Sequence, residues 1–219
     1  MDLFAATPPL EAKELIFSYA VTKGIGYLEG KKKEGMKIDF IDISRTYFQA
    51  DAIRDVYVEL PEEDQSPGMC GRLMKSTYGT RDAAQNWGMA YTQFMESIGF
   101  LKGKSSPCTF YNQKRELRCV VHGDDFTILG WSNQLDWFWK EIKTKFFSKH
   151  RGRIGPAEGD LKEMRISNRI VTWTEEGIQY EGDQRHVEIC MKELGIHGGD
   201  EKDNQRRGVS ESRVVSTPA

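Results

Sequence analysis

Long apolar runs are missing from this chain. Nowhere do apolar residues approach the ~18 in succession that a membrane-spanning helix requires, and the amino terminus meets Asp2 at once, without a basic-then-apolar signal. No membrane segment is expected. Cysteine is scarce: the four, at 70, 108, 119 and 190, show neither close pairing nor a histidine pattern beside them. That spacing indicates neither a zinc site nor a disulfide framework, and it fits a reducing intracellular setting. Charge of one sign is missing too, since 31 Lys and Arg stand against 33 Asp and Glu, a formal net charge of -2. Any binding to nucleic acid must therefore come from local patches. There is no internal repeat, and residues 24–32, although glycine-rich, lack the Gly-Lys-Ser/Thr ending of a phosphate loop.

What is present suits a folded protein. With 38% hydrophobic and 29% charged residues over 219 positions, the chain can build one sizeable core or two small ones. Leu10, Ala12, Leu15, Ile16, Tyr19 and Ala20 predict an amphipathic helix opened by Thr7-Pro8-Pro9. Residues 36–43 predict a buried strand holding Asp39 and Asp42, followed by a helical turn over 44–50. Short strands are expected at 56–60 and 72–75. Ala83, Trp87, Ala90, Tyr91, Phe94 and Ile98 recur at spacings of three and four, as one helix face does. Strands are expected at 109–112, 117–121, 126–130, 161–166 and 169–174, and helices at 132–147 and 184–194. From residue 197 the composition turns polar and Gly-rich, as in a frayed tail. This order predicts an α+β fold, a mainly antiparallel sheet with helices on one face.

The most informative feature is His122-Gly123-Asp124-Asp125, set between the apolar runs 117–121 and 126–130. Such a pattern reads as strand, tight turn, strand. Alternation sends Asp124 and Asp125 to roughly opposite sides. Two adjacent carboxylates repel, and a divalent cation is a common reason to tolerate them; Gly-Asp-Asp is equally ordinary chemistry for a solvated turn. A sheet of this kind can bring Asp42 beside Asp124. Paired acids from distant stretches are what two-metal phosphoryl transfer uses, with two ions about 3.5–4 Å apart.

At these residues the chain resembles the reverse transcriptase of copia-type retrotransposons. Asp42-Ile43-Ser44-Arg45-Thr46-Tyr47-Phe48 is similar to that family's first catalytic block. Val56-Tyr57-Val58-Glu59-Leu60-Pro61-Glu62 resembles its V-Y-M-x-x-P-E run, and Leu73-Met74-Lys75-Ser76-Thr77-Tyr78-Gly79, continuing to Trp87, its L-x-K-S-L-Y-G block. Ser106-Pro107-Cys108 stands for D-P-C and residues 121–125 for Y-V-D-D. The resemblance implies a palm over 1–150, thumb-proximal strands and a helix over 151–196, and a disordered tail over 197–219. It implies RNA-directed DNA polymerase activity on a primed RNA or DNA template with deoxynucleoside triphosphates. Asp42, Asp124 and Asp125 would be the catalytic ligands of two Mg²⁺ ions. Tyr47 would sit under the sugar, or else fill the core, while Tyr78 and Gly79 would border the incoming nucleotide. Lys143, Lys149 and Arg151, from a basic stretch at 140–153, are candidates for phosphate-backbone contact; a solvated helix face is the alternative.

The pattern also departs from the family. Tyr-Val before the paired acids becomes His122-Gly123, and Lys-Gln-Ala-Pro becomes Arg81-Asp82-Ala83-Ala84. The fingers strands with their Lys-Ala-Arg run would precede residue 1, so a truncated chain with little activity of its own is expected. Competing expectations are a non-catalytic retrotransposon remnant that binds nucleic acid and, from Gly123-Asp124-Asp125, an RNA-dependent RNA polymerase.

Overall fold

Apolar residues on both faces of the central strands decide the architecture. The computed structural model describes residues 6–166, 168–182, 184–194 and 213–215. In chain order these form α1 (Leu10–Val21), β1 (Lys37–Ile43), a 3-10 turn (Thr46–Gln49), β2 (Tyr57–Val58), β3 (Gly71–Arg72), α2 (Ala83–Ser97), β4 (Leu101–Lys102), β5 (Thr109–Asn112), β6 (Leu117–His122) and β7 (Asp125–Gly130). They continue as α3 (Ser132–Lys145), β8 (Ser148–Ile154), β9 (Glu163–Ile166), β10 (Arg169–Trp173), β11 (Ile178–Gly182), α4 (Gln184–Glu193) and β12 (Arg213–Val215).

A six-stranded sheet runs β4-β5-β6-β7-β1-β8, with antiparallel neighbours throughout. Along β1, Ile41 and Ile43 enter one core with Trp87, Phe94 and Met95 of α2 and with Leu135, Phe138 and Ile142 of α3. Ile38 and Phe40 enter the other, with Ala12, Ile16, Phe17 and Ala20 of α1 and with Val171, Trp173, Ile178 and Tyr180 of a second sheet, ordered β12-β11-β10-β9. Helices on one face alone were expected, and that expectation is corrected. Because β1, β6 and β7 are apolar on both sides, water must be excluded from both, and α1 with the second sheet covers the face opposite α2 and α3.

The sequence pattern misses β8. Ser148-Lys149-His150-Arg151-Gly152-Arg153-Ile154 carries too few apolar residues to signal a strand, yet it pairs with β1 from Ile38 to Ile43 as a sheet edge, with a register shift opposite Phe40/Ile41. A buried ion cluster helps hold it there. Asp39, 1% exposed, accepts from Arg153 Nε at 2.5 Å and Nη2 at 2.9 Å and lies 3.0 Å from His150 Nε2, while Arg153 also meets Asp136 of α3 at 2.8 Å. The expected division after residue 150 falls inside this strand. Of the expected tail, Arg213–Val215 pair with β11; the rest lies outside the described residues. Among the described residues no helix is long and apolar enough to cross a membrane.

Candidate active site at the acidic hairpin

The β6–β7 hairpin turns at Gly123, whose φ of +64° is one that residues with a side chain rarely adopt. His122 and Asp125 face each other across the turn. Trp87, buried on α2, donates from its indole Nε1 to the Gly123 carbonyl at 2.8 Å, and so ties the turn to the helix. Sequence reasoning placed Trp87 on the apolar face of a helix, at the end of a family block. Its hydrogen bond to a backbone carbonyl leaves no mark in a one-dimensional pattern.

Strand register brings the acids from the two stretches together. Asp42 stands directly across from Asp125 in the β1–β7 pair, and the Ile43 amide donates to the Asp124 carbonyl at 2.9 Å. Opposed residues in an antiparallel pair share a face. Asp125 lines a small cavity on the α1 side with Lys13, Phe40, Thr127, Arg151 and Arg165. Asp42, two residues after Phe40, belongs to the same side. Asp124 instead lines a cleft of about 560 Å³ on the α2 side, with Tyr47, Tyr78, Trp87 and His122. The expected divergence of Asp124 and Asp125 is therefore what the hairpin shows.

Charge crowding accompanies this placement. Partial burial, followed by the charges of Asp125 and Asp42, holds the Asp124 carboxyl above the usual carboxylate range against an opposing backbone hydrogen bond and His122. Burial, with Lys13 adding to it, pushes the His122 imidazole down, and Asp125 and Asp124 work the other way. Among the described residues no three acidic, histidine or cysteine side chains are gathered tightly enough to hold a metal ion by themselves.

The remaining expected site residues fall into two groups. Tyr47 packs against Tyr78 with ring centroids 4.6 Å apart, and Phe48 meets Tyr78 at 5.7 Å. Tyr47 also packs on the α2–α3 core, so it serves core and cleft together. Gly79 has φ +88°, and a Cβ there would meet nothing within 4 Å. Backbone conformation, rather than close packing within the chain, calls for glycine. The basic residues do not converge. Lys149 and Arg151 lie on β8, with Lys149 opposite Asp42 and Arg151 lining the Asp125 cavity. Lys143 lies on α3, 5.9 Å over the Trp139 ring, on the other side of the sheet. Asp82, which breaks the family pattern, is paired: Arg54 Nε lies 3.0 Å from it.

The fold is thus an antiparallel sheet flanked by helices, with acids from two stretches at one hairpin beside an aromatic cleft. A model of the reverse transcriptase (RNA-dependent DNA polymerase) family matches residues 29–157, more than half of the chain, and the chain belongs to that family. The chain is also 26% identical over 134 residues to the retrovirus-related Pol polyprotein from transposon TNT 1-94 of Nicotiana tabacum. That stretch is 58% of this chain and 9% of the polyprotein. The resemblance to copia-type retrotransposon reverse transcriptases, read from ordered sequence blocks, is borne out.

Proposed function

We propose that the chain is the palm portion of an RNA-directed DNA polymerase, extending a primer 3′-hydroxyl with deoxynucleoside triphosphates on an RNA or DNA template. One observation carries the reading: Asp42 stands opposite Asp125 in register while Asp124, at the same tip, feels the charge of both. Three crowded carboxylates have an electrostatic cost that divalent cations relieve. Magnesium is commonly held by one or two carboxylates completed by substrate phosphates, so a donor set too small to cage an ion alone fits it. Asp42, Asp124 and Asp125 would hold two such ions, which when bound lower the cost of charge on the attacking and leaving oxygens.

The chain's own residues do the rest. Tyr78, exposed at the cleft, offers a stacking surface, and Tyr47 beneath it limits room at the sugar. Trp87 holds the turn so that Asp124 keeps its place. Lys149 and Arg151 offer positive charge beside the acids for a phosphate backbone. The test is primer extension with Mg²⁺, using this chain fused to the segment that adjoins the matched stretch in the tobacco polyprotein. Extension that disappears in Asp124→Asn is the expected result. No extension by the fused protein, with its fold verified, would overturn the reading. Replacing Tyr47 by Ala in the active fusion is expected to admit ribonucleotides, and unchanged sugar selection would remove the role given to Tyr47.

A further inference from the structure

We propose that a groove on the α1 face of the six-stranded sheet receives helix α4 of a second copy of this chain. The groove, of about 730 Å³, runs beside α1 over β4, β5 and β6, and no residue of the second sheet lines it. Strand register lays Leu101, Tyr111 and Arg118 side by side across its floor, with Leu15 and Ile16 of α1 as one wall. Leu15 is 50% exposed and Leu101 64%. Three strands span two spacings of about 4.8 Å, close to the 8–10 Å at which one helix packs beside another. The uncovered strip is one helix wide.

Charge selects which helix. The Arg118 guanidinium carbon lies 5.4 Å over the Tyr19 ring and 5.1 Å over the Tyr111 ring, and its Nη1 donates to the Glu116 carbonyl at 3.4 Å. These partners are neutral, so the floor keeps a fixed positive charge. The rims carry one charge of each sign, Glu11 and Lys104. Helix α4 offers the complement. Ile189, Cys190, Glu193 and Leu194 share one helix face through spacings of four, and all of them are exposed, Ile189 to 47% and Leu194 to 72%. The acid stands among the apolar residues, as Arg118 does in the groove. One helix in one groove is a small contact, whereas stable interfaces bury about 1,200–2,000 Å². Exchange in both directions doubles it and closes the assembly at two chains.

Docking of this kind needs neither a divalent ion nor a nucleotide, so its test is independent of the polymerase reading. Sedimentation velocity is run over a concentration series on the full chain, for the unaltered protein, Arg118→Glu, Glu193→Arg and the two combined, with each fold checked by circular dichroism. A concentration-dependent dimer is expected, weakened at least tenfold by either single change and restored by the exchange of charges. Leu15→Cys together with Cys70→Ser gives a second readout, since Cys190 is then the exposed thiol that meets the groove wall. A disulfide between chains on mild oxidation is expected. Should Arg118→Glu fail to fold, Glu193→Arg and the disulfide still decide the matter. A chain that stays monomeric up to ~100 µM, or a dimer indifferent to the folded single variants, would overturn the proposal. So would a disulfide formed within one chain, which would show α4 occupying its own groove.

Discussion

Asp124 carries the main electrostatic consequence of the hairpin. Its carboxyl stands above the usual range because of burial and then of Asp125 and Asp42, so the ionised group costs stability at neutral pH. A carboxyl whose folded value exceeds its unfolded one disfavours folding above the folded value, and that cost fades as pH falls through it. Asp124→Asn is therefore expected to raise the thermal midpoint at pH 7 without divalent ions. The gain is expected to vanish near about pH 3 to 4, where the unfolded carboxyl is also protonated. A lower midpoint for the variant at pH 7 would contradict this account of the site. Trp87→Phe keeps an aromatic ring but removes the bond to the Gly123 carbonyl together with part of the buried indole volume. A loss of about 2–3 kcal/mol is expected, with amide exchange accelerated most in the β6–β7 turn; uniform acceleration across the sheet would show that Trp87 acts through the core alone.

Among the elements, β8 depends most on polar chemistry. As an edge strand it has β1 on one side only, and Asp39 joins it to α3 through Arg153 and Asp136. Asp39→Asn leaves the partly buried guanidinium with only the exposed Asp136 as counter-charge, and a loss of about 2–3 kcal/mol in urea unfolding is expected. No change in the urea midpoint would show that the cluster does not hold the edge. The same strand shows where the sequence was hard to read. The helix face from Ala83 to Ile98 and the hairpin around Gly123 were legible because period and turn chemistry are local. β8 was not, since its strand character comes from pairing with β1 and from a buried acid 114 residues away in sequence. Short pairs such as Tyr57–Val58 with Gly71–Arg72 proved shorter than their apolar runs suggested, because most of those residues face solvent.

Over the whole molecule, two cores back to back around one sheet explain why the acids could be named but not their surroundings. Motif spacing located Asp42, Asp124 and Asp125, whereas the sides they face follow from register, and the cations beside Asp125 come from α1, β8 and β9. The central claim is that Asp42 and Asp124, which leave the sheet on different sides but are coupled in charge at the hairpin tip, serve one cation-binding site. Mn²⁺ binding followed by electron paramagnetic resonance, in the presence of a deoxynucleoside triphosphate, tests it directly on this chain. The account predicts that Asp42→Asn and Asp124→Asn each weaken Mn²⁺ binding at least tenfold, and that the double variant is little worse than either. Unchanged Mn²⁺ affinity in both folded single variants would contradict it.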